Sequence, residues 1–330
     1  VRELSELTKK EDPTRLTTQA NVMFVPDNDE YNYMTDIIGY NKYYGWYQGE
    51  AEDFGPWMDE FHAKNPNVCL GISEYGAEGI IQYHSDEPKV KDYTEEYHAL
   101  YHEKVWEAFA ARPYLWSTYV WNMFDFGANI RDEGGVQGRN NKGLITYDRK
   151  IKKDAFFMYK ANWSDEKVLH IASKRYFDRA DEAITVKIYS NCDEVTLYVN
   201  GTEVETKKGE HNIFVFENVA LQDGLNEVKA VSGDLEDVAI FNKVEEANLS
   251  YVLPESEAGG VVDNWFEMPE DIGEVVIEEL EITDDVYSTR CTFGELFANP
   301  EAKAVIQKYL AVFNEEHPMF GMAEGMQLDM

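Results

Sequence analysis

A single carboxylate, Glu74, lies near the end of the apolar run in VCLGISEYGAEG, and Gly76 follows two residues later. Taken alone, such an acid reads as a solvated charge that ends a strand. Two other stretches change its setting. NKYYGWYQGE carries Asn41, Tyr43, Tyr44, Trp46 and Tyr47. WNMFDFG carries Trp121, Asn122 and Asp125, ahead of the polar, glycine-rich NIRDEGGVQGRNNKG. One carboxylate among Tyr, Trp and Asn has the chemistry of a sugar site. Aromatic faces cover the apolar faces of a pyranose, amides and hydroxyls bond its hydroxyls, and a carboxylate stabilises or attacks the positive anomeric carbon.

Each of these stretches follows a strand-like run. The spacing predicts short strands over 21–25, 35–39, 68–73 and 115–121. Between and after them it predicts helices over 54–63, over 92–111 with Tyr97, Leu100, Tyr101, Val105 and Phe109 along one side, and from 154 onward. Strands alternating with helices make parallel β/α units, and catalytic groups of a β/α barrel sit at the C-terminal strand ends. A complete eight-unit barrel needs roughly 250 residues. Residues 1–165 hold about four units, so they read as the C-terminal half of a (β/α)8 TIM barrel, about strands five to eight.

The pattern then changes to period two. Residues 184–189 and 195–199 alternate, and Asn200-Gly201 is a hairpin signal. Residues 166–244 are therefore expected to form an all-β sandwich. Residues 245–330 read as an acid-rich linker and a small C-terminal domain, with a helix whose N-cap is Asn299 and whose first residue is Pro300.

The bulk composition narrows the partners. Aromatic residues are 14% of the 330, enough to build a core and to exclude a disordered chain. The formal net charge of -33 argues against nucleic acid and anionic membrane, which reward basic patches. No apolar run reaches the length of a membrane span. Cys69, Cys192 and Cys291 are too few and too scattered for a disulfide framework. The chain starts at Val1 inside a charged, helix-like segment, which reads as a piece of a longer protein. The expected compartment is the cytoplasm.

Four ordered motifs, NKYYGWYQGE, ISEYGAEG, YLWSTYVWNMFDFGANIRDEGG and NNKGLITYDRKIKKDAFFMYKANWS, resemble the C-terminal part of family 2 glycoside hydrolases, the β-galactosidase and β-glucuronidase group. The likeness covers nearly all of residues 1–165. The sandwich resembles the immunoglobulin-like domain that follows the barrel in bacterial members. The family is retaining and uses two glutamates. The resemblance implies Glu74 as nucleophile, on the seventh barrel strand, Tyr43 as its hydrogen-bonding tyrosine, and Trp121 as the aromatic lining the sugar pocket. Asn41, Tyr47 and Asn122 carry over as pocket lining. The family's acid/base glutamate follows an Asn at the end of strand four, ahead of a helix and DPTRLTT-like text. EDPTRLTTQA is present here but the Asn-Glu is not, so it is expected upstream of Val1, and residues 1–330 alone are expected to lack hydrolase activity.

The implied substrate is a β-D-galactoside, with a β-glucuronide as the alternative. Asn140-Asn141-Lys142 fits the Asn-x-Lys that binds a glucuronide's carboxylate, but similar text occurs in β-galactosidases, so Asn140 and Lys142 are substrate-binding candidates that leave the sugar open. A non-catalytic carbohydrate-binding or scaffold unit is a further reading. The resemblance implies no required cofactor and a homo-oligomer in the full-length form. Some members hold Mg²⁺ or Na⁺ near the site, and some hold a flavin away from it. No ligand cluster at metal spacing, and no feature calling for a flavin, is seen in the sequence.

Overall fold

The computed structural model describes residues 1–254, 287 and 291–309. Two compact units divide the chain, Val1–Glu267 and Met268–Met330.

The first unit opens with α1 (Arg2–Glu11) and then builds a parallel sheet from β1 (Ala20–Val22), β2 (Ile38–Asn41), β3 (Leu70–Tyr75) and β4 (Thr118–Val120), in that order. Parallel neighbours require crossovers. α2 (Phe54–Lys64) links β2 to β3, and α3 (Glu95–Ala110) links β3 to β4. Ile38, Tyr40, Leu70, Ile72 and Tyr75 are buried on the sheet and pack with Phe54, Met58, Phe61, Val105 and Phe109 of the helices. Each such aliphatic or aromatic side chain contributes about 1.5–3 kcal/mol by leaving water.

All four strands expected from periodicity exist, but β2 (Ile38–Asn41) and β3 (Leu70–Tyr75) sit two to three residues further along the chain than expected, and β4 (Thr118–Val120) is shorter than the expected 115–121. The ladder hydrogen bonds set these ends: the Ile38 N–H donates to the Cys69 carbonyl, and the Trp121 N–H to that of Tyr75. α3 is capped by Thr94, whose hydroxyl accepts the Tyr97 N–H at 3.0 Å. Its Tyr97, Tyr101, Val105 and Phe109 are buried as expected, while Leu100 is half-buried. His98 and His102 are buried too, because α4 (Asp154–Trp163) packs against α3.

The glycine-rich stretch after Trp121 is not a plain polar loop. β5 (Phe126–Glu133) and β6 (Val136–Asn140) form an antiparallel hairpin. It turns on Gly134-Gly135 with φ of 63° and 73°, a left-handed pair that favours glycine.

Two further sheets follow α4. The larger has the order β11-β10-β13-β14-β8 and the smaller β12-β9-β7. Their strands are β7 (Leu169–Ile171), β8 (Asp178–Arg179), β9 (Ala183–Ser190), β10 (Val195–Val199), β11 (Thr202–Lys207), β12 (Ile213–Ala220), β13 (Gly224–Ser232) and β14 (Leu235–Lys243). Alternate residues, among them Val186, Ile188, Leu197, Phe214, Phe216, Val228 and Phe241, fill one core between the sheets. Asn200 and Gly201 take φ of 49° and 78° at the β10–β11 turn, as the Asn-Gly signal predicts.

This two-sheet body is tied to the barrel helices by charge. Arg175 binds Glu95 of α3 and, at 3.3 Å, Asp154 of α4. His170 Nε2 lies 3.0 Å from Asp154, and Lys187 bonds Glu103 of α3.

In the second unit α5 (Phe293–Ala298) is capped by Thr292, and α6 (Pro300–Tyr309) starts where expected. The Asn299 side chain accepts the N–H groups of Glu301 and Ala302. Most of the expected acidic linker lies outside the described residues. Among the described residues no helix is long and apolar enough to cross a membrane.

Candidate active site

The ends of β2, β3 and β4 converge. β2 pairs Asn41 with Glu74 of β3, and β3 pairs Tyr75 with Val120 of β4. Gly76 makes the second approach close: a Cβ there would collide with the Trp121 carbonyl oxygen. The expected residues Glu74, Asn41, Tyr43, Tyr47, Trp121 and Asn122 therefore all sit at neighbouring strand ends or in the segments just after them.

Glu74 is half-buried, and the buried Tyr43 donates its hydroxyl to Glu74 Oε2 at 2.7 Å. Burial, and then the adjacent Glu74 charge, push the Tyr43 hydroxyl well above the ordinary tyrosine range. Tyr43 is thus a neutral donor to Glu74. Ser73 donates to Asn41 Oδ1 at 2.8 Å, which orients that amide on the strand next to Glu74. The Tyr43 and Tyr47 rings lie 5.1 Å apart, and Trp121 is set edge-to-face on Phe126 at 5.8 Å.

Asn122 joins the end of β4 to the NNK segment. Its N–H donates to the Lys142 carbonyl and its own carbonyl accepts the Leu144 N–H. Its side-chain oxygen is buried, with no hydrogen-bond partner among the described residues. The peptide bond between Trp121 and Asn122 is cis. Asn140 is buried, and its Oδ1 accepts the Lys142 N–H at 3.0 Å, so it shapes the backbone on which Lys142 is carried.

Lys142 is fully buried, and its ammonium donates to the Tyr47 hydroxyl and to Glu78 Oε1, each at 2.9 Å. Glu78 and Arg131 were not among the residues expected from sequence. Glu78 lies four residues beyond Glu74, and Arg131 reaches back from β5. Arg131 donates to Glu78 Oε1 at 2.9 Å, to the Tyr47 hydroxyl at 3.0 Å and to Glu133 Oε1 at 3.1 Å. The clue was the pair of carboxylates, Glu78 and Glu133, close in sequence to Glu74 and Lys142; their three-dimensional pairing carried no sequence signal.

Asp125, noted with Trp121, has a supporting place. It accepts the Gly143 N–H and the Lys153 ammonium, and Lys153 also donates to the carbonyls of Gly79 and Asn141. Lys153 thereby pins the segments after β3 and β6 to each other. Among the described residues no three His, Cys, Asp or Glu side chains are grouped as metal ligands.

A carboxylate held by a tyrosine at a parallel strand end, with aromatic and amide groups on the flanking strands, matches the family model described as glycosyl hydrolases family 2, TIM barrel domain, over residues 1–168. The chain belongs to glycoside hydrolase family 2. A model described as a domain of unknown function matches residues 181–238.

Among relatives of this family-2 chain, a β-glucuronidase of Bacteroides fragilis is 38% identical over 239 residues, covering 70% of this chain and 34% of its own. One of Streptococcus agalactiae is 34% identical over 164 residues, 46% of this chain and 26% of its own. The solved FMN-binding β-glucuronidase of Facaelibacterium prausnitzii L2-6 is 52% identical with a TM-score of 0.75, over 77% of this chain and 39% of that one. A Bacteroides fragilis structure provisionally named a β-galactosidase is 37% identical with a TM-score of 0.71, over 75% and 38%. Bacteroides uniformis β-glucuronidase 2, covalently bound to cyclophellitol-6-carboxylate aziridine, is 33% identical with a TM-score of 0.66, over 74% and 30%. The chain spans about a third of the length of these proteins.

Proposed function

We propose that this chain supplies the nucleophile half of a retaining β-glucuronidase. Glu74 attacks the anomeric carbon of a terminal β-D-glucuronide and forms a covalent glycosyl-enzyme, which water then hydrolyses. Tyr43 orients Glu74, and Trp121 covers a face of the sugar. Lys142, on its Asn140-braced segment, meets the sugar's carboxylate. The observation that carries this reading is the Tyr43–Glu74 bond with a buried lysine and arginine gathered on the hydroxyl of Tyr47, whose ring neighbours that of Tyr43. A pair of buried cations beside a sugar site favours an acidic sugar over a neutral one.

The relatives support the same choice. The sequence alone leaned towards a β-galactoside, and the glucuronide alternative is the better supported by the names of the similar proteins. The covalent adduct of the Bacteroides uniformis enzyme with a carboxylate-bearing cyclophellitol fits a retaining mechanism on a uronic acid.

Retaining hydrolysis wants a second carboxyl group about 5–5.5 Å from the nucleophile to shuttle the proton. Glu78 and Glu133, near Lys142, are engaged by cations. We place the acid/base glutamate in a part of the enzyme outside these 330 residues. The relatives' greater length supports that placement. Glycoside hydrolysis transfers no electrons, so the FMN of the Facaelibacterium relative has no step in this reaction. The two-sheet body is read as an immunoglobulin-like domain, which its two sheets, antiparallel except for the β14–β8 edge, support.

The test is labelling of the intact protein with a 2-deoxy-2-fluoro-β-glucuronide, followed by peptide mapping. A label on Glu74, with nitrophenyl glucuronide turned over faster than nitrophenyl galactoside, is the expected result. A label elsewhere, or a preference for the galactoside, overturns the reading. Turnover by the isolated 330-residue chain, lost in Glu74→Gln, would sink the placement of the acid/base residue outside it.

A further inference from the structure

Glu78 stands one turn of chain beyond the nucleophile, and nothing in the hydrolysis step uses it. It is fully buried. Its Oε1 accepts from both Lys142 and Arg131, each at 2.9 Å, and its Oε2 accepts the Asn141 N–H at 3.0 Å. The Tyr47 hydroxyl accepts from the same two cations, at 2.9 and 3.0 Å. Lys142 and Arg131 are thus bridged twice, once by an anion and once by a hydroxyl. Two buried cations this close repel each other and separate unless an anion sits between them.

We propose that Glu78 is the positioning residue of the acid-recognition site, a buried bridge that holds Lys142 and Arg131 together so that the site selects sugars bearing a carboxylate. The proposal rests on the glucuronidase reading above. Glu78 and Glu133 together match Lys142 and Arg131 in formal charge, and Arg131 retains some exposure through which a substrate carboxylate reaches it, its side chain being 12% accessible. Glu133 takes one Nη1 contact of Arg131. The same bridge fixes the segment after β3, because Glu78 Oε2 takes the Asn141 N–H of the NNK segment.

The charge states agree with this geometry. Burial pushes the Glu78 carboxyl up, but the charges of Lys142 and Arg131 outweigh it and hold the group below the ordinary carboxylate range. Burial pulls Lys142 down, and the Glu78 charge, with smaller help from Tyr47 and Glu133, reverses that and lifts the ammonium above the ordinary lysine value. The titratable and charged groups around Lys142 are Glu78 from the segment after β3, Arg131 and Glu133 from β5, Tyr47 from the segment after β2, and His98 on α3. Removing the Glu78 charge takes away the largest influence that raises Lys142, leaving burial and Arg131 to lower it against the smaller help of Tyr47 and Glu133.

The experiment compares wild type, Glu78→Gln and Glu78→Asp in the intact protein, with nitrophenyl β-D-glucuronide and nitrophenyl β-D-galactoside, from pH 5 to pH 10. Glu78→Gln is expected to raise KM for the glucuronide by about tenfold to a hundredfold, with kcat changed far less. That KM should climb further as pH rises, an alkaline limb absent from wild type and from the galactoside reaction, because the lysine now loses its proton within the range. Glu78→Asp keeps the charge on a shorter arm. It should recover part of the KM and lose the alkaline limb, which keeps the idea testable should Glu78→Gln fold poorly. A fall in kcat at unchanged KM, or a raised KM that is flat with pH, would overturn the role given to Glu78. A wild-type enzyme without preference for the glucuronide would instead overturn the functional reading on which it rests.

Discussion

The Tyr43 hydroxyl donates to Glu74 Oε2 at 2.7 Å, across the ends of two adjacent parallel strands. The bond joins a neutral donor to a carboxylate. A hydrogen bond to a charged group is worth about 1.5–3 kcal/mol. Tyr43→Phe should therefore lower kcat/KM of the intact enzyme by about tenfold to a hundredfold. The fall should come in kcat, with Tm lowered by a few degrees at most, since the ring stays in place. Steady-state kinetics beside a melting curve check this, and a loss confined to KM would contradict it.

Gly76→Ala tests the closeness of β3 and β4. The added methyl meets the Trp121 carbonyl oxygen, in a backbone held by the Trp121 N–H to Tyr75 bond. Relief requires the strand ends to part, at a cost of about 1–3 kcal/mol. Denaturant melts should show that loss. Activity should fall by more than stability does, because Glu74 and Trp121 stand on the two strands being separated.

Lys153→Met removes the ammonium that joins Asp125 to the carbonyls of Gly79 and Asn141. Asp125 is then left buried without its cation, and breaking a buried pair from one side costs about 3–5 kcal/mol. The double variant Lys153→Met/Asp125→Leu should recover part of the loss, as a chemical-denaturation cycle would show. Equal stability of the single and double variants would count against an ion pair as the cause.

Glu95 sits buried beside Asp154, with Arg175 between the barrel helices and the two-sheet body. Burial, and then the Asp154 charge, raise its carboxyl from 4.5 to about 7 despite Arg175. A raised carboxylate binds more protons in the folded state than unfolded. Its contribution is therefore fully present below pH 4.5 and is lost as pH rises through about 7. Glu95→Gln cannot ionise. Relative to this variant, wild type should lose stability between those pH values and then level off. Melting curves across the range decide it, and a pH-independent difference would show that Glu95 does not titrate there.

Much of this molecule could be read from its residues in order. Strand–helix alternation is legible because burying one face of an element imposes a period, so the four β/α units and the α3 face of Tyr97, Tyr101, Val105 and Phe109 were expected before any coordinates. Local chemistry was legible too. Asn200-Gly201 turned where a left-handed pair is needed, and Asn299 capped α6. Glu74, Tyr43 and Trp121 were candidates because polar and aromatic residues fall just after strands, where barrel folds expose them, and their roles were what the family resemblance implied.

What only the tertiary structure decided were the relations that depend on distance in space rather than along the chain. Glu78, Arg131 and Lys142 come from three segments; Lys142 was a substrate-binding candidate from its motif, while Glu78 and Arg131 alone read as surface charges. Only the closure of the β5–β6 hairpin over the strand ends makes them one buried cluster. The hairpin was read as a polar loop because its side chains alternate poorly, although Gly134-Gly135 marked its turn. Periodicity reports which face of an element leaves water. It does not report which partner a charge meets once water has gone, and burial is what makes that partner matter.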